Sequence, residues 1–198
     1  MTAPRAALLL LASLLLAAGA DATPITPGAV IPGSVHDGEN HIAVNGSNAD
    51  ISGGSFVGTN LRNTTFVGTN FSGADLTNAN LRNTDATAAN FSNADLTGTL
   101  LRDGTFVNAI FDGTVMTGNL LNADFDGASF LNGADLSAAT NWATSSWNGA
   151  LFDATTVLPA GFDPVAAGMV FVAEPHTTAM LGLGLLGLGV AGRRPRQA

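Results

Sequence analysis

Four stretches of this chain carry residue types that can do chemistry. His36-Asp37-Gly38-Glu39-Asn40-His41 brings two imidazoles and two carboxylates into one short run, the donor types of a divalent metal site. Its spacing matches no helical metal motif and nothing else in the chain converges on it. It reads as a solvated loop, and no metal ligand is assigned. Asp124-Phe125-Asp126-Gly127 offers carboxylates to calcium, but the spacing of an EF-hand loop is missing. Gly182-Leu183-Gly184-Leu185-Leu186-Gly187 spells the dinucleotide-binding pattern. That fingerprint needs a strand before it, a βαβ unit around it and an acidic residue about 20 positions on. Here it sits in an apolar segment and is rejected.

Arg62, Arg82 and Arg102 form the fourth group, evenly spaced along the chain. They would suit an anionic polysaccharide as a narrow cationic stripe, or stand as a solvated ladder paired with carboxylates such as Asp85 and Asp103; the ladder is preferred. His36, His41 and His176 are isolated, so no Ser-His-Asp arrangement is supported. No catalytic constellation emerges. The chain is expected not to be an enzyme and to need no cofactor.

The elements that must position these residues follow one rule from Ala49 to about Ala154. Every fifth residue is large and apolar: Ile51, Phe56, Leu61, Phe66, Phe71, Leu76, Leu81, Phe91, Leu96, Leu101, Phe106, Phe111 and Met116, with Ala86 the exception. Two positions before each stands a small residue, such as Ala49, Gly54, Thr59 or Ala74. A fixed period of this kind signals a solenoid. Five fits neither a helix nor a flat strand. It suits a chain that turns a corner every five residues, with one large and one small side chain pointing inward per side. Four sides close a coil of twenty, and that longer period is visible: Phe71-Ser72-Gly73-Ala74-Asp75-Leu76-Thr77 recurs as Phe91-Ser92-Asn93-Ala94-Asp95-Leu96-Thr97. Stacked coils pair as parallel strands do, about 4.8 Å apart. Phe71, Leu76, Leu81, Phe91, Leu96 and Leu101 are the expected structural core.

The triplets Ala74-Asp75-Leu76, Ala79-Asn80-Leu81 and Ala94-Asp95-Leu96 resemble the pentapeptide-repeat family. The resemblance implies an all-β fold, a right-handed quadrilateral β-helix, here of about five coils. After Met116 the register slips by one residue, and Ala134-Asp135-Leu136 restores it, which predicts a compensating one-residue bulge. Trp142, Trp147 and Phe152 then follow at intervals of five and are expected to cap the lower end of the column. Leu158-Pro159-Ala160-Gly161-Phe162-Asp163-Pro164 is similar to endings that follow the last repeat in this family, and is expected to fold back over that end.

The termini speak to location. Arg5, the apolar run 6–18 and Ala18-Gly19-Ala20 read as a secretory signal peptide, cut after Ala20 or alternatively Ala22. With no cysteine, the chain makes no disulfide to mark its compartment. Residues 177–192 are apolar and, as a helix, would span roughly 25 Å, marginal for a bilayer. Arg193-Arg194-Pro195-Arg196 follows, as in a segment that stops with its C-terminus in the cytoplasm. Ala173-Glu174-Pro175, the apolar run and the arginines together resemble the PEP-CTERM sorting signal, with Ala173 in place of the first proline. The resemblance implies Glu174, Pro175, Arg193 and Arg194 as the signal and an exosortase as the processing partner, beside signal peptidase. A permanent anchor is the alternative.

The resulting organisation is 1–22 signal peptide, 23–48 Pro/Gly-rich irregular arm, 49–154 β-helix, 155–172 cap and linker, and 173–198 sorting or anchor segment. All 15 acids lie between Asp21 and Glu174, against three arginines, for a net −12. Such a surface repels nucleic acid and anionic lipid heads. The expected function is that of an exported, non-enzymatic structural or adhesive solenoid sorted to the envelope or an exopolysaccharide matrix. An acidic DNA-mimicking topoisomerase inhibitor is the alternative, disfavoured by the signal peptide. A carbohydrate-active β-helix enzyme would need a cleft with converging catalytic groups, which the sequence does not supply.

Overall fold

The computed structural model describes residues 24–173. In each five-residue unit the large residue is followed by a two-residue turn, as at Ile51-Ser52-Gly53-Gly54, where the amide of Gly54 donates to the carbonyl of Ile51 at 3.2 Å. The second turn residue has positive φ in most units, 62° at Gly53 and 58° at Asn63, with Ala138 and Thr155 as exceptions. That requirement explains why Gly, Asn and Asp crowd this position: they enter the left-handed region at least cost.

Between the turns, single residues bridge to the coils before and after, all in parallel. One ladder runs Val30, Asp50, Asn70, Asn90, Ile110, Ser129, and then continues through three short strands, β1 (Ser129–Phe130), β2 (Leu151–Phe152) and β3 (Val170–Phe171). Three further ladders start at Val35, Asn40 and Asn45. Four ladders give a four-sided coil, and seven steps along the longest make a rod on the order of 34 Å.

The core is as the period implies. Phe71, Leu76, Leu81, Phe91, Leu96 and Leu101 are wholly buried, and the small positions Ala74, Ala79, Ala89 and Ala94 line the interior beside them. Phe71, Phe91, Phe111 and Phe130 stack face to face at 4.9, 5.0 and 5.1 Å between centroids. Where threonine takes the small position, its buried hydroxyl donates to a backbone carbonyl, as Thr99 does to Leu76 at 3.0 Å.

Two boundaries are corrected. The solenoid does not begin at Ala49: the expected irregular arm 23–48 is coiled and bridged from Val30 onward, so the rod is longer than five coils. It also does not end at Ala154, because Val157 bridges to Asp135 and β3 adds a rung to β2. The register slip lies where expected. Leu100 pairs with Asn119, one residue short of a full coil, and Val115 pairs with Asp135 again at twenty. The lost residue leaves Gly118 pressed on the preceding coil, and the extra one enters between Phe130 and Ala134, where Asn132 and Gly133 both have positive φ.

The lower end is capped. A 3-10 turn, Trp142–Thr144, departs from the coil, and Trp147 stacks on Phe125 at 4.7 Å. Phe162, on the segment that folds back, meets Trp142 and Trp147 edge-on at 5.1 and 5.3 Å. Among the described residues no helix is long and apolar enough to cross a membrane. The signal segment with Ala20 and Ala22, and the sorting segment with Glu174, Pro175, Arg193 and Arg194, lie outside the described residues.

Candidate functional site

The five-residue register, extended upstream from Ile51, places His41 and His36 at the positions that elsewhere hold Phe or Leu. Glu39, two before His41, takes the small inward position filled elsewhere by Ala, Gly or Thr. Three inward places at the first coil thus hold an imidazole, a carboxylate and an imidazole. His36 is wholly buried, and Glu39 and His41 are partly so, with side chains 27% and 16% exposed. The solvated loop expected here is corrected: the coil turns these side chains toward the column.

The geometry is convergent. Nδ1 of His36 and Nε2 of His41 both donate to Oε2 of Glu39, at 2.9 and 2.6 Å. The two rings meet edge to face at 5.0 Å, and His36 lies flat on Phe56. Burial disfavours the charge of Glu39, but the hydrogen bonds from His36 and then His41 outweigh it and hold the carboxyl below its ordinary range. Nε2 of His36 is buried without a hydrogen-bond partner. One donor atom from each of the three residues lies within 4.8 Å of the other two.

Sequence reasoning passed over this cluster because it sought the spacings of helical metal motifs. In a five-residue coil the inward places lie alternately three and two residues apart, which is the spacing of His36, Glu39 and His41. Gly28, Gly33 and Gly38 carry the signal that the coil reaches this far. They fall in phase with Gly53 and Gly58 and share their positive φ.

The other candidates are less convergent. Arg62, Arg82 and Arg102 do stand one above another, each the first residue of its turn in successive coils. Arg102 Nε donates to Asp103 at 2.8 Å. The carboxyl of Asp103 is lowered first by the Asn122 amide and then by Arg102. Asp85 is occupied instead by the amide and hydroxyl of Thr87, at 3.1 and 2.7 Å. At the lower end a cleft of about 460 Å³ opens between Trp142, Trp147 and Phe162. Asp163 is the one titratable side chain lining it, and it accepts the amides of Val165 and Ala166. Ser145, Ser146 and Asn148 also line it, so Asp163 has polar neighbours there but no second titratable one.

The family model for pentapeptide repeats matches residues 47–83 and 79–118, with eight copies. A solved pentapeptide repeat protein from Nostoc PCC 7120 is 30% identical, with 52% of this chain and 84% of that one covered and a TM-score of 0.50. A second, from the Arabidopsis thaliana thylakoid lumen, is 27% identical over 55% of this chain and 74% of that one, with a TM-score of 0.46. QnrB1, a plasmid-mediated fluoroquinolone resistance protein, is 21% identical over 80% of this chain and 96% of its own, with a TM-score of 0.40. No curated protein matches the sequence.

Proposed function

Because the chain belongs to the pentapeptide-repeat family, we propose that it is a non-catalytic scaffold, an exported β-solenoid sorted to the cell envelope or an exopolysaccharide matrix. One observation carries the scaffold reading: the column is closed. Centre side chains from Ile51 to Phe130 are fully buried against one another, so recognition is left to the outer faces. Those faces carry ladders of Asn and Asp, among them Asn80 on Asn60 and Asn70 on Asp50, at 3.3 and 2.9 Å. Fixed rows of amides and carboxylates at coil spacing suit a polymeric, repeating partner such as a polysaccharide. The net −12 of the body argues against nucleic acid as that partner. The coil winds right-handed in this reading, by its family.

Export is read from the termini. The apolar run 6–18 ending in Ala18-Gly19-Ala20 directs cleavage by signal peptidase at Ala20 or Ala22. Residues 177–192 hold the chain in the membrane until an exosortase-like enzyme acts near Glu174 and Pro175, with Arg193 and Arg194 on the cytoplasmic side. The test is the intact mass of native protein recovered from envelope and medium. A form lacking the residues before Asp21 or Thr23 and those after about Pro175 is expected. A form that keeps Met1 would remove the basis for export and turn attention to a supercoiling assay for the DNA-mimic alternative.

A further inference from the structure

We propose that His36, Glu39 and His41 form a binding site for one divalent transition-metal cation of the zinc class at the N-terminal end of the column. The register gives the first reason. Three successive inward places depart together from the apolar and small residues that fill them in the coils below, and they depart to the three residue types that ligate such ions. Filling the interior alone would favour Phe, Ala and Leu, which cost no desolvation.

The second reason is that the donor atoms already converge. Both rings press their N–H on the same carboxylate oxygen, at 2.9 and 2.6 Å. A cation takes the place of those shared protons: each imidazole presents a lone pair and carries its single proton on its other nitrogen. His36 presents Nδ1, the atom already at the carboxylate. Metal–ligand bonds of about 2.0–2.2 Å place tetrahedral donors roughly 3.3 Å apart. The two N···O separations therefore have to lengthen by less than about 1 Å, and the partly exposed Glu39 carboxylate is the group with room to shift.

The third reason is that the site is held on one side and open on the other. Phe56 fixes the plane of His36, and a buried Thr59 hydroxyl fixes its carbonyl at 2.6 Å. Glu39 and His41 keep partial exposure, so the ion enters past them and retains water at its open coordination position. Two imidazoles and one carboxylate select zinc, cobalt, nickel or copper over calcium and magnesium, which take oxygen ligands.

The experiment is titration of tag-free full-length chain with Zn²⁺ by calorimetry and with Co²⁺ by visible absorption, in the presence of excess Mg²⁺ and Ca²⁺. One site per chain is expected, with a dissociation constant below about 10 μM. Glu39→Gln and His41→Gln, whose side chains are partly exposed and so leave the core packed, are each expected to weaken it about tenfold or more. Zn²⁺ should raise the melting temperature of the wild type and leave that of the double variant unmoved. Absence of binding at this concentration, binding that survives both substitutions, or displacement by Mg²⁺ or Ca²⁺ would each overturn the proposal.

Discussion

The imidazole of His36 lies face to face on the ring of Phe56, with centroids 5.1 Å apart and planes inclined by 14°. The pair heads a column that Leu76, Leu96, Met116 and Leu136 continue below it, all wholly buried. Within the coil the imidazole therefore occupies a place shaped for an apolar ring.

A phenyl ring at this place would keep the stack and remove the orphaned Nε2. His36→Phe is expected to fold and to be about 1 kcal/mol more stable than the wild type, while losing its response to Zn²⁺. Chemical denaturation of both proteins without metal measures this. A less stable variant would mean that the hydrogen bond to Glu39 is worth more than the lone pair costs.

Mid-column packing sets the stability of the rod, since each coil is supported by its neighbours on both sides. Leu81 is wholly buried between Leu61 and Leu101. Leu81→Asp places an unpaired carboxylate there and is expected to unfold the solenoid under native conditions. Leu81→Met, which keeps the volume, should cost less than about 1.5 kcal/mol. Circular dichroism melts of the two decide it: a two-state transition for Leu81→Asp within a few degrees of wild type would displace Leu81 from the core.

The core was legible because each five-residue unit spends one large and one small side chain on it, as Phe71, Leu76 and Leu81 show without any structure. The start of the coil was hidden by its unusual fillers. Gly46 stands at a centre position, and the space of its missing side chain is taken by Ile25 and Phe66, which would lie 2.7 and 2.6 Å from a Cβ. His36 and His41 hid the pattern in the same way, being polar at places where apolar residues were sought. The Trp142 and Trp147 cap was foreseeable, since the last coil needs bulk to shield its open face, but Phe152, expected with them, lies on β2 against Phe171 at 5.4 Å, and Phe162 takes its place. What lay beyond reach was the convergence of His36 and His41 on Glu39, because it depends on knowing that the arm is coiled.

The register slip gives a sharp test of backbone contact. A Cβ on Gly118 would lie 2.0 Å from the carbonyl oxygen of Thr99, which belongs to the ladder of the preceding coil and cannot step aside. Gly118→Ala is expected to cost about 3 kcal/mol or more. Gly73 is the contrast: nothing lies within 4 Å of its Cβ position and its φ is 65°. Gly73→Ala should cost only about 1 kcal/mol, the strain of the left-handed backbone. Urea titration of both variants orders them, and equal losses would mean that the four-residue side relaxes around an added methyl.

Acid should weaken the lower end first. Asp153 is buried at the last coil, which disfavours its charge, yet the Thr155 hydroxyl and amide, the Asn132 amide and Thr156 all donate to it and prevail. Together they lower its carboxyl to about 2 from 3.8. A carboxylate whose pKa falls on folding contributes stability that is complete above its unfolded value near 3.9 and is lost as pH drops toward 2. The contribution at neutral pH is about 2 kcal/mol. Asp153→Asn keeps one acceptor oxygen and removes the titration, so it should lose most of that amount at pH 7. Its deficit against the wild type should shrink steadily between pH 4 and about 2. Unfolding free energies of the two proteins across that range supply the measurement. A deficit that stays constant with pH would mean that the hydrogen bonds to Asp153 are structural and its charge contributes nothing.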